Sequence, residues 1–437
     1  MRILDLIEKK KQGLEHTKEE INFIIDSLQA GIIQDYQLSA WLMAIYFQGM
    51  SENETVYLTE AIIESGQVVN FTDELAQKTL DLYSTGGVGD KVGVILIPLL
   101  AAADIPTIKL TGKGLGYTQT TIDKLESIPG FNTDIAVSDI VNHIQNHGFV
   151  ISSQIKHVTP ITRTLHVLRY TSGTMNALPL IAASVVSKKI ATGANNIIVD
   201  IKYGSGALMK NVEDAEKLAK LIINIGKRFD KDIIATITSL EEPIGRTVGN
   251  SIEIIESIEF LKGNIKSGDL AELVYEFASI ALIQVGKYST KEEAVDYLKT
   301  LISSGKALDK CREIIIKQKG NDAVIDNYDK FPLPKYKIKY IAEQTGYVNK
   351  IDAYQIAYGC RLLGSIRDKR ADKINKGVGI FLNKKTGEFV NEGETLYTIY
   401  SDQNNIDTVK KCFTHAYQIS KIKEPTKNIV YKIIRNN

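Results

Sequence analysis

The residues most suggestive of chemistry lie in the stretch Ser84-Thr85-Gly86-Gly87-Val88-Gly89-Asp90-Lys91. Three glycines among four residues let backbone amides approach a ligand closely. Ser84 and Thr85 add hydroxyl donors, so the loop reads as a cradle for an anion. The same composition also serves a plain chain reversal, and on these residues alone both readings stand. The loop follows an expected strand at 79–82 and runs into the apolar segment 92–103.

The elements around it must hold it rigidly, and the chain has the length to do so. With 437 residues, two or three domains are expected. Fifty-three basic against 52 acidic residues leave a net charge of +1, which argues against a dedicated nucleic-acid or membrane surface. Cys311, Cys360 and Cys412 are too scattered for a disulfide framework or a metal knuckle. With no secretory leader and no long apolar window, a cytoplasmic protein is expected. Residues 1–70 read as helices: Thr17 and Glu20 form a capping box before the run 21–28, and 37–48 and 54–65 follow. Trp41 reads as core or interface packing. From 79 onward, expected strands (79–82, 106–110, 150–151, 196–201, 233–238) alternate with helices (97–103, 138–146, 165–169, 179–192, 212–229, 249–262). That texture predicts an α/β fold with a mainly parallel sheet and a ligand crevice at the strand C-terminal ends.

Two further stretches carry a resemblance. The run Lys109-Leu110-Thr111-Gly112-Lys113-Gly114-Leu115-Gly116-Tyr117-Thr118-Gln119-Thr120-Thr121-Ile122-Asp123-Lys124-Leu125-Glu126 resembles the signature of the thymidine and pyrimidine-nucleoside phosphorylases. Leu168-Arg169, with Leu178-Pro179-Leu180-Ile181-Ala182-Ala183-Ser184-Val185-Val186-Ser187-Lys188-Lys189, resembles their base-binding segment. The likeness spans nearly the whole chain. It implies a helical domain (1–70 and 155–192) that makes a homodimer and faces an α/β domain (71–154 and 193–330) across a closing cleft, with a C-terminal α/β domain (335–437). It further implies phosphorolysis of a pyrimidine nucleoside, with nucleoside and phosphate as ligands and no required cofactor. Arg169, Ser184 and Lys188 match the base-binding trio. Ser184 and Lys188, four apart on a helix, share one face, while Arg169 offers a planar fork of donors. An ordinary solvated helix face is the bland alternative.

The phosphate end departs from the family pattern. A Lys-His pair is replaced by Leu82-Tyr83, a hydroxyl residue by Gly93, and two glycines by Gln119 and Thr120. Ser84, Thr85, Thr111 and Thr121 remain as phosphate donors, with Lys91 and Lys113 as cations. Tyr83 takes the histidine's place as a catalytic donor to the base. Relatives also hold a monovalent cation, potassium, near the loop, and Gly89 and Glu256 are the matching positions. Among the six histidines, His143 and His147 are four apart and read as a surface pair. Two other readings follow from the altered cradle: a different acceptor such as water or a modified nucleoside, or a non-catalytic nucleoside binder.

Overall fold

The computed structural model describes all residues except 115–118, 154, 368–371, 426 and 436–437; Tyr117 and Thr118 of the signature therefore lie outside the described residues. The chain begins with four helices, Ile3–Lys11, Lys18–Gln29, Asp35–Gln48 and Glu52–Glu64. The Thr17 capping box is present, its hydroxyl accepting from Glu20 N while the Glu20 carboxylate accepts from Thr17 N. Trp41 is fully buried, and its indole N–H donates to His16 Nε2 at 3.1 Å. Ile21, Leu38, Trp41 and Leu58 share one apolar core with Ile161, Leu165, Leu168 and Leu180. The helices Pro160–Thr171 and Leu178–Ala191 thus complete the bundle from a distant part of the chain.

The six-stranded sheet runs Val430–Ile434, Asp232–Ser239, Asn196–Tyr203, Leu80–Ser84, Thr107–Leu110, Phe149–Ser152 across its width. All neighbours pair in parallel except the Val430–Ile434 edge, which is antiparallel to Asp232–Ser239. From Leu80–Ser84 the chain builds outward through Thr107–Leu110 on one side and is met by Asn196–Tyr203 on the other. That reversal makes the C-terminal end of Leu80–Ser84 a topological switch point, where crevices form in such sheets. The glycine loop leaves the sheet at this point. It leads into the helix Val92–Ala102, longer than the expected 97–103 because Val92–Leu96 is apolar and packs into the core.

Two features of the structure go beyond the expected layout. The C-terminal unit does not keep 335–437 to itself: Val430–Ile434 returns to the central sheet, while Thr247–Gly249 leaves the α/β body to pair with Gly379–Leu382. Strand pairing over such separations leaves no local pattern in sequence. The two sides of the expected cleft also share an element. Leu180 and Ala183 of the helix Leu178–Ala191 pack in the bundle, whereas Ile181, Ala182, Val185 and Val186 pack on the sheet side with Ile197 and Val199. A helix apolar on most of its circumference is shared in this way.

Candidate active site

Helix Leu178–Ala191 brings Ser184 and Lys188 to one face, as the spacing predicts, and Lys188 Nζ donates to Ser184 Oγ at 3.1 Å. Next to Lys188, Lys189 turns the other way and forms a buried bidentate pair with Asp81, at 2.8 and 2.9 Å. Thr192 Oγ1 adds a third bond to that carboxylate at 2.9 Å. Asp81 lies on the strand that delivers the glycine loop, so the helix carrying Ser184 and Lys188 is fastened to the strand leading into that loop. Breaking such a buried pair typically costs about 3–5 kcal/mol.

Arg169, at the end of Pro160–Thr171, is 4% exposed. Nη1 and Nη2 donate to the carbonyls of Leu180 and Met175, at 3.2 and 2.6 Å. The guanidinium thereby splints the turn into the helix Leu178–Ala191. Its Nε is buried with no partner among the described residues, a group that a polar ligand would satisfy. Burial pushes Arg169 down to about 10 and Lys188 down to about 8, the latter helped by Arg169 and Lys189. Tyr83 is the penultimate residue of Leu80–Ser84, and its ring borders the core containing Ile181 and Val185. Burial raises its phenol to about 12 despite the nearby Arg169, so at neutral pH it is a hydrogen-bond donor and not a base. Tyr83, Arg169 and Lys188 therefore form one electrostatic neighbourhood.

The loop's hydroxyls are largely engaged in shaping it. Ser84 Oγ donates to Asp90 Oδ2 at 2.7 Å and accepts from Gly86 N at 3.1 Å, while Thr85 Oγ1 accepts from Lys202 N at 3.0 Å. Burial works to raise the Asp90 carboxyl, but Lys202 and Lys124 outweigh it and hold Asp90 below the usual carboxylate range. Thr111 follows Thr107–Leu110 and is held through its backbone N–H to Ser152 O at 3.1 Å. Thr121 opens the short helix Thr121–Leu125; a Cβ added at Gly93 would lie 3.8 Å from its Oγ1, so the missing side chain leaves room beside that hydroxyl. Lys113 is about half exposed and paired with Glu126 at 2.8 Å, so its charge is partly committed. Gln119 Nε2 reaches Ser365 Oγ at 3.1 Å, and Arg367 pairs with Asp123, so the signature segment is braced by the C-terminal unit.

Lys91 is not a phosphate cation. Its side chain is fully buried, and Nζ donates to the carbonyls of Ile244 and Thr247, at 2.7 and 3.0 Å, and meets Glu256 Oε2 at 2.9 Å. Gly89 backs this cage, because a Cβ there would stand 2.8 Å from Ile244 O. The carbonyls and carboxylate suited to a monovalent cation are thus already wrapped around an ammonium, and these residues do not fit a separate potassium ion. His143 and His147 stack edge-on, 5.5 Å between centroids, with no third ligand to make a metal site among the described residues.

Sequence reasoning assigned no role to Lys109, although it opens the signature. It is buried, donates to Leu82 O at 2.6 Å, and is pushed down to about 8 by burial and Lys189, with Asp81 and Asp90 opposing. A lysine at the end of a parallel strand next to the switch point was the available signal.

Residues 76–308 match the glycosyl transferase family a/b domain, 4–66 its helical bundle domain, and 347–420 the pyrimidine nucleoside phosphorylase C-terminal domain. The chain is 42% identical to pyrimidine-nucleoside phosphorylases of Staphylococcus aureus strains MSSA476 and N315, over 99% of its own length and all of theirs. Among solved structures it resembles anthranilate phosphoribosyltransferase from Thermus thermophilus, with a TM-score of 0.58 and 15% identity, covering 72% of this chain and 99% of that one. That last likeness concerns the fold.

Proposed function

The chain belongs to the pyrimidine-nucleoside phosphorylase family of glycosyl transferases, and from that premise we propose how its own residues conduct phosphorolysis. A phosphate oxygen attacks C1′ of the nucleoside and the C1′–N1 bond breaks. The bonding pair leaves with the pyrimidine, which takes up a proton, and the pentose departs as its 1-phosphate. Negative charge develops on the base, so fixed donors there lower the barrier most. Lys188 and Arg169 supply positive charge, and Ser184 and Tyr83 supply hydroxyl donors.

The phosphate end is proposed to comprise the glycine-loop amides, Ser84, Thr85, Thr111, Thr121 and Lys113. Lys109 lies behind Leu82 and contributes positive field in place of the lysine the family carries at that position. The helix Val92–Ala102 adds the partial positive charge of its N-terminus. Exposed apolar side chains on the helical unit (Ile32, Tyr36, Phe47) support a homodimer through that face. The three free cysteines suit a reducing cytoplasm.

The observation that carries this reading is the two neighbouring cations, the buried Arg169 with its Nε unpartnered among the described residues and the half-buried Lys188, the latter on a helix fastened through Lys189–Asp81 to the loop strand. The test is base release from uridine and thymidine with and without phosphate, followed by ultraviolet absorbance. Release is expected to require phosphate and to fall by on the order of a hundredfold or more in Lys188→Ala. Release at equal rate without phosphate would instead make water the acceptor, and binding without release would make the protein a nucleoside receptor.

A further inference from the structure

We propose that Lys91 is a covalently attached substitute for the loop cation, so that this protein needs no potassium and binds none at the glycine loop. An ammonium has three protons to place. Lys91 Nζ places them on Ile244 O, Thr247 O and Glu256 Oε2, at 2.7, 3.0 and 2.9 Å. Two carbonyls and one carboxylate form the hard-oxygen shell that a monovalent cation would seek, and one positive charge already neutralises its one negative charge.

The rest of the cage is also taken. Glu256 Oε1 accepts from Arg246 N at 2.7 Å, and Oε2 accepts from Thr247 N at 2.9 Å as well as from the Thr247 hydroxyl. Its walls are close: a Cβ on Gly245 would stand 2.7 Å from Glu256 Oε1 and 2.9 Å from Lys91 Nζ. A second ammonium grips the same turn from the other side. Lys385 Nζ, from the C-terminal unit, donates to Gly245 O at 3.0 Å, to Pro243 O, and to Asp269 Oδ2 at 2.9 Å. Glu256 thus faces Lys91 and Asp269 faces Lys385, with Glu242 Oε2 3.5 Å from Lys385 at the partly exposed rim, and an added cation at the position of Lys91 Nζ would find no space.

A free ion makes the geometry of such a turn depend on salt composition, whereas a tether makes it permanent. Lys91 immediately precedes the helix Val92–Ala102 and follows Asp90, which holds Ser84. Its anchorage therefore fixes the end of the anion loop against the turn 243–247 under any ionic conditions.

The test compares dialysed protein in potassium chloride and in tetramethylammonium chloride at equal ionic strength, reading thermal midpoint, phosphorolysis rate and retention of radioactive rubidium in equilibrium dialysis. For the natural chain, the midpoint is expected to agree within ~1 °C, the rate within about twofold, and no rubidium to be retained stoichiometrically. A saturable, potassium-specific rise in midpoint, or one rubidium retained per chain, would overturn the proposal. Lys91→Ser removes the ammonium and leaves a hydroxyl oxygen beside an emptied cage. Its midpoint should fall by ~5 °C or more in tetramethylammonium and recover in potassium or rubidium but not lithium. A folded Lys91→Ser protein indifferent to potassium would also overturn it. If that variant does not fold in either salt, rubidium retention by the natural chain decides.

Discussion

Lys188, proposed to serve the departing base, works against the fold that holds it. Burial with Arg169 and Lys189 lowers its ammonium from 10.5 to about 8, so keeping it charged costs stability at neutral pH. Turnover that relies on the charged form should decline as pH rises through about 8, with full activity below. The stability trend has the opposite sign. Between about 8 and 10.5 the native chain has released protons from Lys188 and Lys109 that the unfolded chain still binds, so their contribution to stability grows with pH. Lys188→Met should accordingly melt higher than the natural chain at neutral pH, with the gap closing towards pH ~10. A turnover rate flat from about pH 7 to about pH 9.5 would remove the charged-lysine role. The trio Arg169, Ser184 and Lys188 came from the family resemblance, and helix spacing accounts only for Ser184 and Lys188 sharing one face. The burial of Lys91 could not, since nothing within ten residues of it shows that the acceptors lie at Ile244, Thr247 and Glu256.

At the scale of elements, the glycine loop is held by backbone conformation as much as by side chains. Gly89 has φ +73° and no space for a methyl group, with Ile244 O 2.8 Å from where Cβ would lie. Gly89→Ala should therefore destabilise the chain by ~2 kcal/mol or more in urea unfolding, strain and clash adding. An unchanged urea midpoint would show that the loop relaxes freely. The first helices were legible because caps and apolar spacing are local, as Thr17 and Glu20 show. Helix Leu178–Ala191 was legible as a helix but not as one shared by two cores, because an apolar circumference does not say what covers each side. Thr247–Gly249 was not foreseen, only its last residue falling in the expected helix 249–262, since three residues with a partner more than a hundred positions away leave no pattern of their own.

The whole molecule is interlocked by exchange of strands between its α/β body and its C-terminal unit. Val430–Ile434 covers the outer edge of Asp232–Ser239, with Ser239 N donating to Ile429 O at 2.7 Å. Removing residues 428–437 should expose that edge, speed amide exchange across Asp232–Ser239 by roughly tenfold or more, and promote self-association. Exchange identical to that of the full chain would mean that the last strand is an ornament of the sheet. Parallel alternation made the sheet itself legible in sequence, but an antiparallel strand added from near the end of the chain could not be read from its own five residues.

The bundle core, shared between Ile21, Leu38 and Trp41 on one side and Ile161, Leu165 and Leu180 on the other, sets a timetable for biosynthesis. The fourth helix ends at Glu64 and the completing helix starts at Pro160, so about 95 residues must still be translated after the first four helices have emerged. At ~5–20 residues per second that is roughly 5–20 s with an open apolar seam on the nascent chain. A ribosome-associated chaperone that shields leucine- and isoleucine-rich helices would find its client in that interval, and a slow codon cluster before residue 160 would lengthen the exposure.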